Sequence, residues 1–500
     1  MSHLVKQAGL LSAADFSRLA IKALVGFILA RLFTQADYGS FRQLYLVYTT
    51  FSALLLLGLP QSILYFLPKI KDEAKRSLFI RQCLIVFSVL GILFSAFMFL
   101  FRHPISLLFH NPSLELLLVL YCLYPIFSFI SLHYNYTMLA EQKPKSVAIF
   151  TIFSIVVESI CVLGAAFITR NLFYTTIGIL AAALIQYLYA MISLRKYEVK
   201  EFHFDLEILK EQLHFSLPIG LSAIVSLLAI QIDKFVISSY YSPEVFAVFS
   251  VGAMEVPLIG IILNAVNSVI MPELSKLDII KDKERIEDIF RSSVRNNALM
   301  VLPMFVFFFI FAKDFMVILY SAKYIHATIF FRIYLLTMPL RIAVYSTLIQ
   351  VGAKTKFLFY SSVLSLVMNL AMNLVLVHLV GQIGPAISTV IVIYISIALY
   401  IWVFKYQLGF RLRRLFPVPD IFKTILTSIL TGVLVVPILL LHWNSWFRFI
   451  LAGVCYFALF FLLGSLFNVI KPYDRGLAMS MIREGWTRLR GVDAADNSIG

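Results

Sequence analysis

The chain alternates long apolar stretches with short polar breaks along almost its whole length. A helix needs roughly 20 apolar residues to cross a hydrocarbon core of about 30 Å. The apolar stretches have that length, and their continuity excludes the period-two alternation of a membrane barrel. The pattern predicts fourteen membrane-spanning helices, near residues 10–33, 44–67, 79–101, 114–138, 147–169, 172–194, 214–239, 245–271, 298–320, 328–351, 357–380, 383–404, 421–442 and 447–469.

Composition agrees with this pattern. Hydrophobic residues make up 61% of the chain and charged residues only 14%, and the mean hydropathy is +0.90. A water-soluble domain needs far more charge on its surface. The expected fold is therefore an all-α polytopic membrane protein with about fourteen transmembrane helices.

The net charge of +15 reflects topology. Most of the 42 Lys and Arg residues lie at the N-terminus, in the connections that follow even-numbered helices and at the C-terminus. Positive residues favour the cytoplasmic side, so both termini are predicted to be cytoplasmic. Clusters such as Arg411–Arg414 then contact anionic membrane lipids, and the charge does not indicate a nucleic-acid partner.

The chain repeats itself at an offset of roughly 200 residues. Gln35–Gly39, after the first helix, corresponds to Ser242–Phe246 after the seventh, and Arg195–Tyr197 corresponds to Phe404–Tyr406. Six helices per repeat give two units of the same orientation. The predicted organisation is an N-terminal lobe at 1–197, a cytoplasmic interfacial linker at 198–213, a C-terminal lobe at 214–407, helices thirteen and fourteen at 408–470 and a cytoplasmic tail at 471–500.

This repeat, together with three short segments, resembles the multidrug/oligosaccharidyl-lipid/polysaccharide (MOP) exporter superfamily and, within it, polysaccharide flippases of the Wzx type. The segments are the polar first helix Ser12–Arg18, the loop Ala36–Gly39 and the seventh-helix run Gln231–Ser238. The resemblance implies a V-shaped, MATE-like pair of lobes that open alternately. It also implies a non-enzymatic flippase for O-antigen, capsule or exopolysaccharide precursors in a bacterial inner membrane, with a polyprenyl-diphosphate oligosaccharide as substrate and a polymerase and assembly proteins as further partners.

Charged residues inside membrane helices are costly and therefore indicate function. Asp15, Arg18 and Lys22 are spaced i, i+3, i+7, which places all three on one face of the first helix. Arg18 and Lys22 are predicted to bind the phosphates of the substrate, and Asp15 is predicted to hold Arg18 while the site is empty. The alternative is a self-neutralising pair near the cytoplasmic end, with Lys22 reaching to the headgroups.

Three more carboxylates are candidates for ion coupling or charge pairing. Asp233, on the seventh helix, is predicted to hold a coupling H⁺ or Na⁺ or to pair with an arginine, and a purely structural contact is the alternative. Glu158 and Glu255 are predicted protonation sites, and neutral interhelical hydrogen bonding explains either of them equally well.

Helices ten and eleven contribute the remaining candidates. Arg332 and Arg341 are nine residues apart and so lie on opposite sides of an ideal helix, unless Pro339 bends it. Arg341, which lies deeper in the span, is predicted to bind substrate, and Arg332 is predicted to reach the headgroups. Asn369 and Asn373 form a polar stripe suited to sugar hydroxyls, with ordinary helix-to-helix hydrogen bonds as the alternative.

Rival functions remain open at this point. A lipid II flippase shares the substrate chemistry, and an ion-coupled multidrug exporter shares the fold but would favour an acidic cavity. A membrane polysaccharide polymerase would need a long external loop with acid and base residues, and the external connections are short. A scaffold or scramblase is the last alternative.

The four cysteines have no metal-ligand spacing, and no metal or cofactor is expected.

Overall fold

The structure is a computed structural model that describes residues 2–197, 203–279, 281–352 and 355–471. In these ranges every regular element is a helix. The predicted interfacial linker falls partly outside the described residues, at 198–202, and the predicted cytoplasmic tail falls outside them beyond Lys471. The all-α prediction is confirmed.

Twenty-one α-helices are present in the described part of the chain. They are α1 Ser2–Leu32, α2 Gln35–Leu56, α3 Leu59–Phe66, α4 Glu73–Leu100, α5 Arg102–Leu108, α6 Pro112–Tyr121, α7 Tyr124–Ala140, α8 Pro144–Thr169, α9 Leu172–Leu194, α10 Leu206–Tyr240, α11 Pro243–Gly252, α12 Pro257–Leu274, α13 Lys283–Ile310, α14 Ala312–Tyr320, α15 Ala327–Leu335, α16 Tyr345–Val351, α17 Thr355–Val380, α18 Gly384–Tyr406, α19 Leu412–Leu415, α20 Val418–Val435 and α21 Ser445–Leu466.

Length and apolarity qualify nine helical stretches of the described residues as membrane spans, and two bent pairs raise that number to eleven. One of the nine, Lys356–Tyr406, is 51 residues long and comprises α18 and all of α17 except its first residue. Each of these two helices has the length of one crossing. The first helix, α1, has the length but carries Asp15, Arg18 and Lys22. The membrane class is confirmed, and the predicted number of fourteen is approximate.

Several predicted spans are broken helices. The second span divides into α2 and α3 because Leu57 and Gly58 adopt left-handed backbone angles, with φ of 42° and 76°. The eighth divides into α11 and α12, and Pro257 begins the second piece. Hydrophobic periodicity identifies the apolar stretch but does not predict where left-handed residues interrupt the helix inside it.

The chain divides into two compact units by internal packing. The first comprises Met1–Met254, Leu319–Phe330 and Lys356–Val392, and the second comprises Glu255–Ile318, Phe331–Thr355 and Ile393–Gly500. Helices α10 and α11 of the predicted C-terminal lobe therefore belong to the first unit, where both pack against α2. The predicted division into two six-helix lobes stays a prediction.

Close packing of α2 on α10 requires glycine. A Cβ atom added to Gly58 would lie 2.7 Å from the backbone oxygen of Ser216, on α10. Gly58 also has the positive φ that side chains rarely adopt. The break between α2 and α3 thus allows the backbones of α2, α3 and α10 to approach each other closely.

Candidate functional site

The polar face predicted for α1 is present. The guanidinium of Arg18 lies 2.9 Å from the Asp15 carboxylate, in an exposed ion pair one turn apart. The ammonium of Lys22 lies 3.6 Å from the carboxylate of Glu158 on α8. Two residues that were predicted for different roles therefore form one pair, and this pair links α1 to α8.

Lys22 and Glu158 line a cavity of about 260 Å³ inside the first unit. Helices α1, α2, α8 and α9 and the junction of α6 with α7 supply its wall. The charged lining residues are Lys22, Arg42 and Glu158, and the tyrosines are Tyr38, Tyr45, Tyr121 and Tyr124. The formal charge of this pocket is therefore +1, from two cations and one carboxylate.

Arg42 is the cation that sequence analysis missed. The predicted second helix began near residue 44, which placed Arg42 in a loop, whereas α2 begins at Gln35 and carries Arg42 two turns inside. The signal is a capping motif: the Thr34 hydroxyl accepts from the Asp37 backbone N–H at 3.1 Å and donates to the Asp37 carboxylate at 2.6 Å. A Thr-x-x-Asp sequence of this kind marks a helix start.

The Arg42 side chain has no hydrogen bond or ion pair with any other described residue. Among the residues that the structure describes, Lys22 pairs with Glu158 alone, at 3.6 Å, which is longer than a direct charge-assisted hydrogen bond. Both cations are thus available to an anion that enters the pocket. Arg18 lies one turn before Lys22 on α1 but does not line the cavity.

Asp233 is buried, with 1% of its surface exposed. Its carboxylate accepts from the Lys234 backbone N–H at 2.7 Å. One turn earlier on α10, the Ala229 carbonyl accepts from the Asn369 side chain of α17 at 3.2 Å. The polar stripe of α17 therefore contacts α10 one turn before Asp233. The Asp233 carboxylate itself also lies 3.9 Å from the ammonium of Lys234.

The polar stripe of α17 is engaged in hydrogen bonds between helices. Asn373 donates to the Asn369 side-chain oxygen at 3.1 Å, and Ser388 of α18 donates to the same oxygen at 3.1 Å. The Asn373 side-chain oxygen is buried without a partner among the described residues. These contacts fit the interhelical alternative for Asn369, and one acceptor of Asn373 remains open.

Arg341 and Glu255 form an ion pair in the second unit. Arg341 lies in a short 3-10 helix, Met338–Ile342, which has Pro339 in its first turn and is followed by the extended residue Ala343. The predicted tenth span is therefore not one continuous α-helix. Both side chains are exposed. Arg332 donates from Nε to the Phe309 carbonyl at 3.0 Å and so caps the end of α13.

A buried ion pair fastens α21 to α14. The Asp314 carboxylate is 1% exposed. Each of its two oxygens lies 3.1 Å from Nε of Arg448 and accepts a hydrogen bond from it, and one oxygen also accepts from an Nη atom. Arg448 donates further to the Leu441 carbonyl at 3.4 Å. This pair connects the last predicted helix to the body of the second unit.

Another network joins α4 to the turn between α7 and α8. Glu141 pairs with Arg76 and lies 2.8 Å from the Lys143 ammonium, and the Tyr197 hydroxyl lies 3.1 Å from the same carboxylate. Burial acts to raise the pKa of Glu141, but hydrogen bonds from Lys143 and Arg76 outweigh it and lower the pKa. The hydrogen bond to Glu141 in turn raises the pKa of Lys143.

Solved structures of the same fold exist. The chain is similar to the lipid II flippase MurJ in its inward closed conformation, with a TM-score of 0.74 and 16% identity over 92% of this chain and 98% of that one. It is also similar to an inward-facing multidrug resistance MATE transporter, with a TM-score of 0.60 and 17% identity over 77% and 93% of the two chains. A third match is a MOP superfamily transporter from Pyrococcus furiosus, with a TM-score of 0.52 and 15% identity over 81% and 96%.

These likenesses define the class as a helical membrane protein with the MurJ and MATE fold, and they confirm the predicted MOP superfamily fold. No curated protein sequence matches the chain. The sequence profile described as "Polysaccharide biosynthesis protein" matches residues 28–329, more than half of the chain. The chain belongs to this polysaccharide biosynthesis family.

Proposed function

We propose that this protein is a flippase that moves a saccharide, linked through diphosphate to a polyprenyl lipid, across the bacterial inner membrane. The observation that carries the proposal is the pair of cations, Lys22 and Arg42, in one cavity of an apolar helical unit. Placing two cations there costs free energy unless an anion compensates them. A diphosphate has the charge and the acceptor oxygens to do so.

The cations suit this substrate in different ways. Arg42 offers a planar fork for two phosphate oxygens, and Lys22 offers a compact point charge. Glu158 balances Lys22 while the pocket is empty, and a phosphate competes with it for the ammonium. Arg18, held by Asp15 on the same face of α1, is a first contact for the approaching headgroup.

Membership of the polysaccharide biosynthesis family supports a saccharide substrate. The multidrug exporter alternative would favour acidic residues for cationic drugs, and this pocket has an excess of positive charge. The lipid II flippase alternative shares the diphosphate and differs in the group that the diphosphate carries. The distribution of Lys and Arg predicts that both termini are cytoplasmic.

Asp233 is the candidate for coupling to H⁺ or Na⁺, because it is a buried carboxylate of α10, one turn after the Ala229 carbonyl that Asn369 of α17 contacts. If an ion drives transport, Asp233→Asn should abolish the response of proteoliposome transport to an imposed H⁺ or Na⁺ gradient. Transport by the variant that still follows the gradient would remove Asp233 from this role.

The role of Arg341 as a substrate ligand stays a prediction.

The test uses a bacterial cell that lacks its own lipid-linked oligosaccharide flippase. Surface glycan is measured with the wild-type chain, with Lys22→Ala plus Arg42→Ala and with Lys71→Ala, all at matched membrane abundance. Lys71 is exposed and lies outside the pocket. Each charged hydrogen bond contributes about 1.5–3 kcal/mol, so the double variant should reduce surface glycan at least about tenfold.

Rescue by the wild type and by Lys71→Ala, with loss in the double variant, is the expected result. Equal rescue by all three would exclude the phosphate role of Lys22 and Arg42. If no chain rescues surface glycan but drug resistance rises, the exporter alternative replaces the proposal.

A further inference from the structure

The pocket is richer in aromatic rings than anion binding requires. Tyr45 of α2 and Tyr121 and Tyr124 of the α6–α7 junction lie in the same cavity as Lys22 and Arg42. A diphosphate is recognised by cations and N–H donors, and aromatic faces add nothing to that recognition. The aromatic rings are therefore expected to contact a different part of the ligand.

Two of these rings form a fixed platform. Tyr121 and Tyr124 stack with centroids 4.8 Å apart and planes inclined by 16°. Tyr48 lies nearly perpendicular to Tyr124, with ring centroids also 4.8 Å apart. Because the rings hold each other, little conformational entropy is lost when a flat ligand face binds on them.

The hydroxyl groups of the pocket tyrosines are uncommitted. Tyr48, which does not line the cavity, donates its hydroxyl to Ser128 at 2.9 Å. The hydroxyls of Tyr45, Tyr121 and Tyr124 have no hydrogen-bond partner among the described residues. Tyrosine hydroxyls in packed surroundings are ordinarily paired, so these three are open to a ligand.

Glu158 completes the set with an acceptor. Its carboxylate faces the cavity from α8 and is engaged only loosely by Lys22, at 3.6 Å. A group of three hydroxyls and one carboxylate can donate to and accept from a ligand with many hydroxyls. Aromatic faces attract the C–H groups on the apolar face of a pyranose ring, because those hydrogens carry partial positive charge.

We propose that Tyr45, Tyr121, Tyr124 and Glu158 form a subsite for the first sugar ring of the substrate, the one attached directly to the diphosphate. The inference rests on the proposed function, since the diphosphate at Lys22 and Arg42 brings that sugar to the rings. The cavity of about 260 Å³ is slightly smaller than most ligand pockets, which run from about 300 to 1,000 Å³. Beside the diphosphate it has room for at most one sugar ring, so the protein recognises the first sugar there and the rest of the glycan stays outside the subsite.

The experiment measures binding of two probes to the purified full-length protein in lipid nanodiscs by native mass spectrometry. One probe is a polyprenyl diphosphate, and the other carries a single hexose on the same diphosphate. The wild type should bind the hexose probe about tenfold more tightly than the bare diphosphate, the effect of one ring stack and one or two hydrogen bonds.

The variants separate the sugar contacts from the phosphate contacts. Tyr45→Phe removes one hydroxyl from a side chain that is 45% exposed, so folding is unaffected, and Tyr124→Leu removes the ring face. Both should reduce the preference for the hexose probe and leave affinity for the bare diphosphate unchanged. Tyr48→Phe is the matched control, because its hydroxyl is already bound to Ser128, and it should retain the preference.

Each failure has its own signature. A wild type that binds both probes equally, or Tyr45 and Tyr124 variants that keep the preference, would overturn the sugar subsite while the diphosphate role stands. A wild type that binds neither probe would overturn the proposed function and the subsite together.

Discussion

Gly39 packs directly against Pro243: a Cβ atom at position 39 would lie 1.9 Å from the Pro243 carbonyl oxygen. Gly39 lies near the start of α2, and Pro243 is the first residue of α11. The two residues belong to segments that correspond in the internal repeat, Gln35–Gly39 and Ser242–Phe246. The repeat-related helix starts therefore pack on each other within the first unit, and only glycine permits this distance.

Gly39→Ala should separate α2 from α11. The added methyl group has no space, and overpacking of this kind costs about 1–3 kcal/mol. We expect a lower thermal unfolding midpoint in detergent and reduced surface glycan in the complementation assay. Gly164→Ala on α8 is the control, because no atom lies within 4 Å of its added Cβ, and alanine should stabilise that helix by up to about 1 kcal/mol. A Gly39→Ala protein as stable as Gly164→Ala would contradict the contact.

Neutralising Glu158 and neutralising Lys22 should have opposite effects on anion binding. Glu158→Gln raises the formal charge of the pocket from +1 to +2, and Lys22→Gln lowers it to zero. We expect Glu158→Gln to bind the bare polyprenyl diphosphate more tightly and Lys22→Gln to bind it less tightly, each by severalfold, in nanodiscs at low salt. If both substitutions weaken binding equally, the 3.6 Å contact between Lys22 and Glu158 stabilises the fold and does not regulate anion binding.

Removal of either partner from the Asp314–Arg448 pair should be strongly destabilising. Arg448→Met leaves the Asp314 carboxylate buried without its cation, at a cost of about 3–5 kcal/mol. The double variant Asp314→Leu plus Arg448→Met should recover most of that loss, because no unpaired charge remains. Thermal midpoints of the two single variants and the double variant test the coupling. A double variant as unstable as the sum of the singles would show that the two residues act independently.

The Glu141 network should stabilise the protein over a defined pH range. The pKa of Glu141 is lowered from its ordinary 4.5, so its contribution is complete above pH 4.5 and is lost as pH falls through the lowered value. The pKa of Lys143 is raised from its ordinary 10.5, so its contribution is complete below pH 10.5 and is lost as pH rises through the raised value. The contribution of the network to the thermal unfolding midpoint should therefore be largest between these two pH limits.

Glu141→Gln provides the comparison for this pH profile. Other groups also titrate in acid, so the quantity of interest is the difference in midpoint between the wild type and Glu141→Gln at each pH. This difference should be constant at neutral pH and shrink below pH 4.5 as the wild-type carboxylate becomes protonated. A difference that does not change with pH would show that the charge of Glu141 is not what stabilises the turn.

Sequence patterns located the polar face of α1 but only part of the pocket. The spacing of Asp15, Arg18 and Lys22 predicted one face, and the Asp15–Arg18 pair is present. The partner of Lys22 could not be predicted, because Glu158 lies 136 positions later and reaches it only through the packing of α8 on α1. Arg42 was detectable from Thr34 and Asp37, a helix-start signal that hydrophobicity alone does not weigh.

The sequence by itself determined the membrane class, the helical architecture and the presence of costly charges within it, because apolar length and residue periodicity are local properties of the chain. Only the tertiary structure decided which of those charges meet, that tyrosines of α2, α6 and α7 share a cavity with Lys22 and Arg42, and that Gly39 lies on Pro243. These relationships depend on helix rotation, on breaks such as Leu57–Gly58 and on the approach of helices distant in sequence, and no local pattern specifies them.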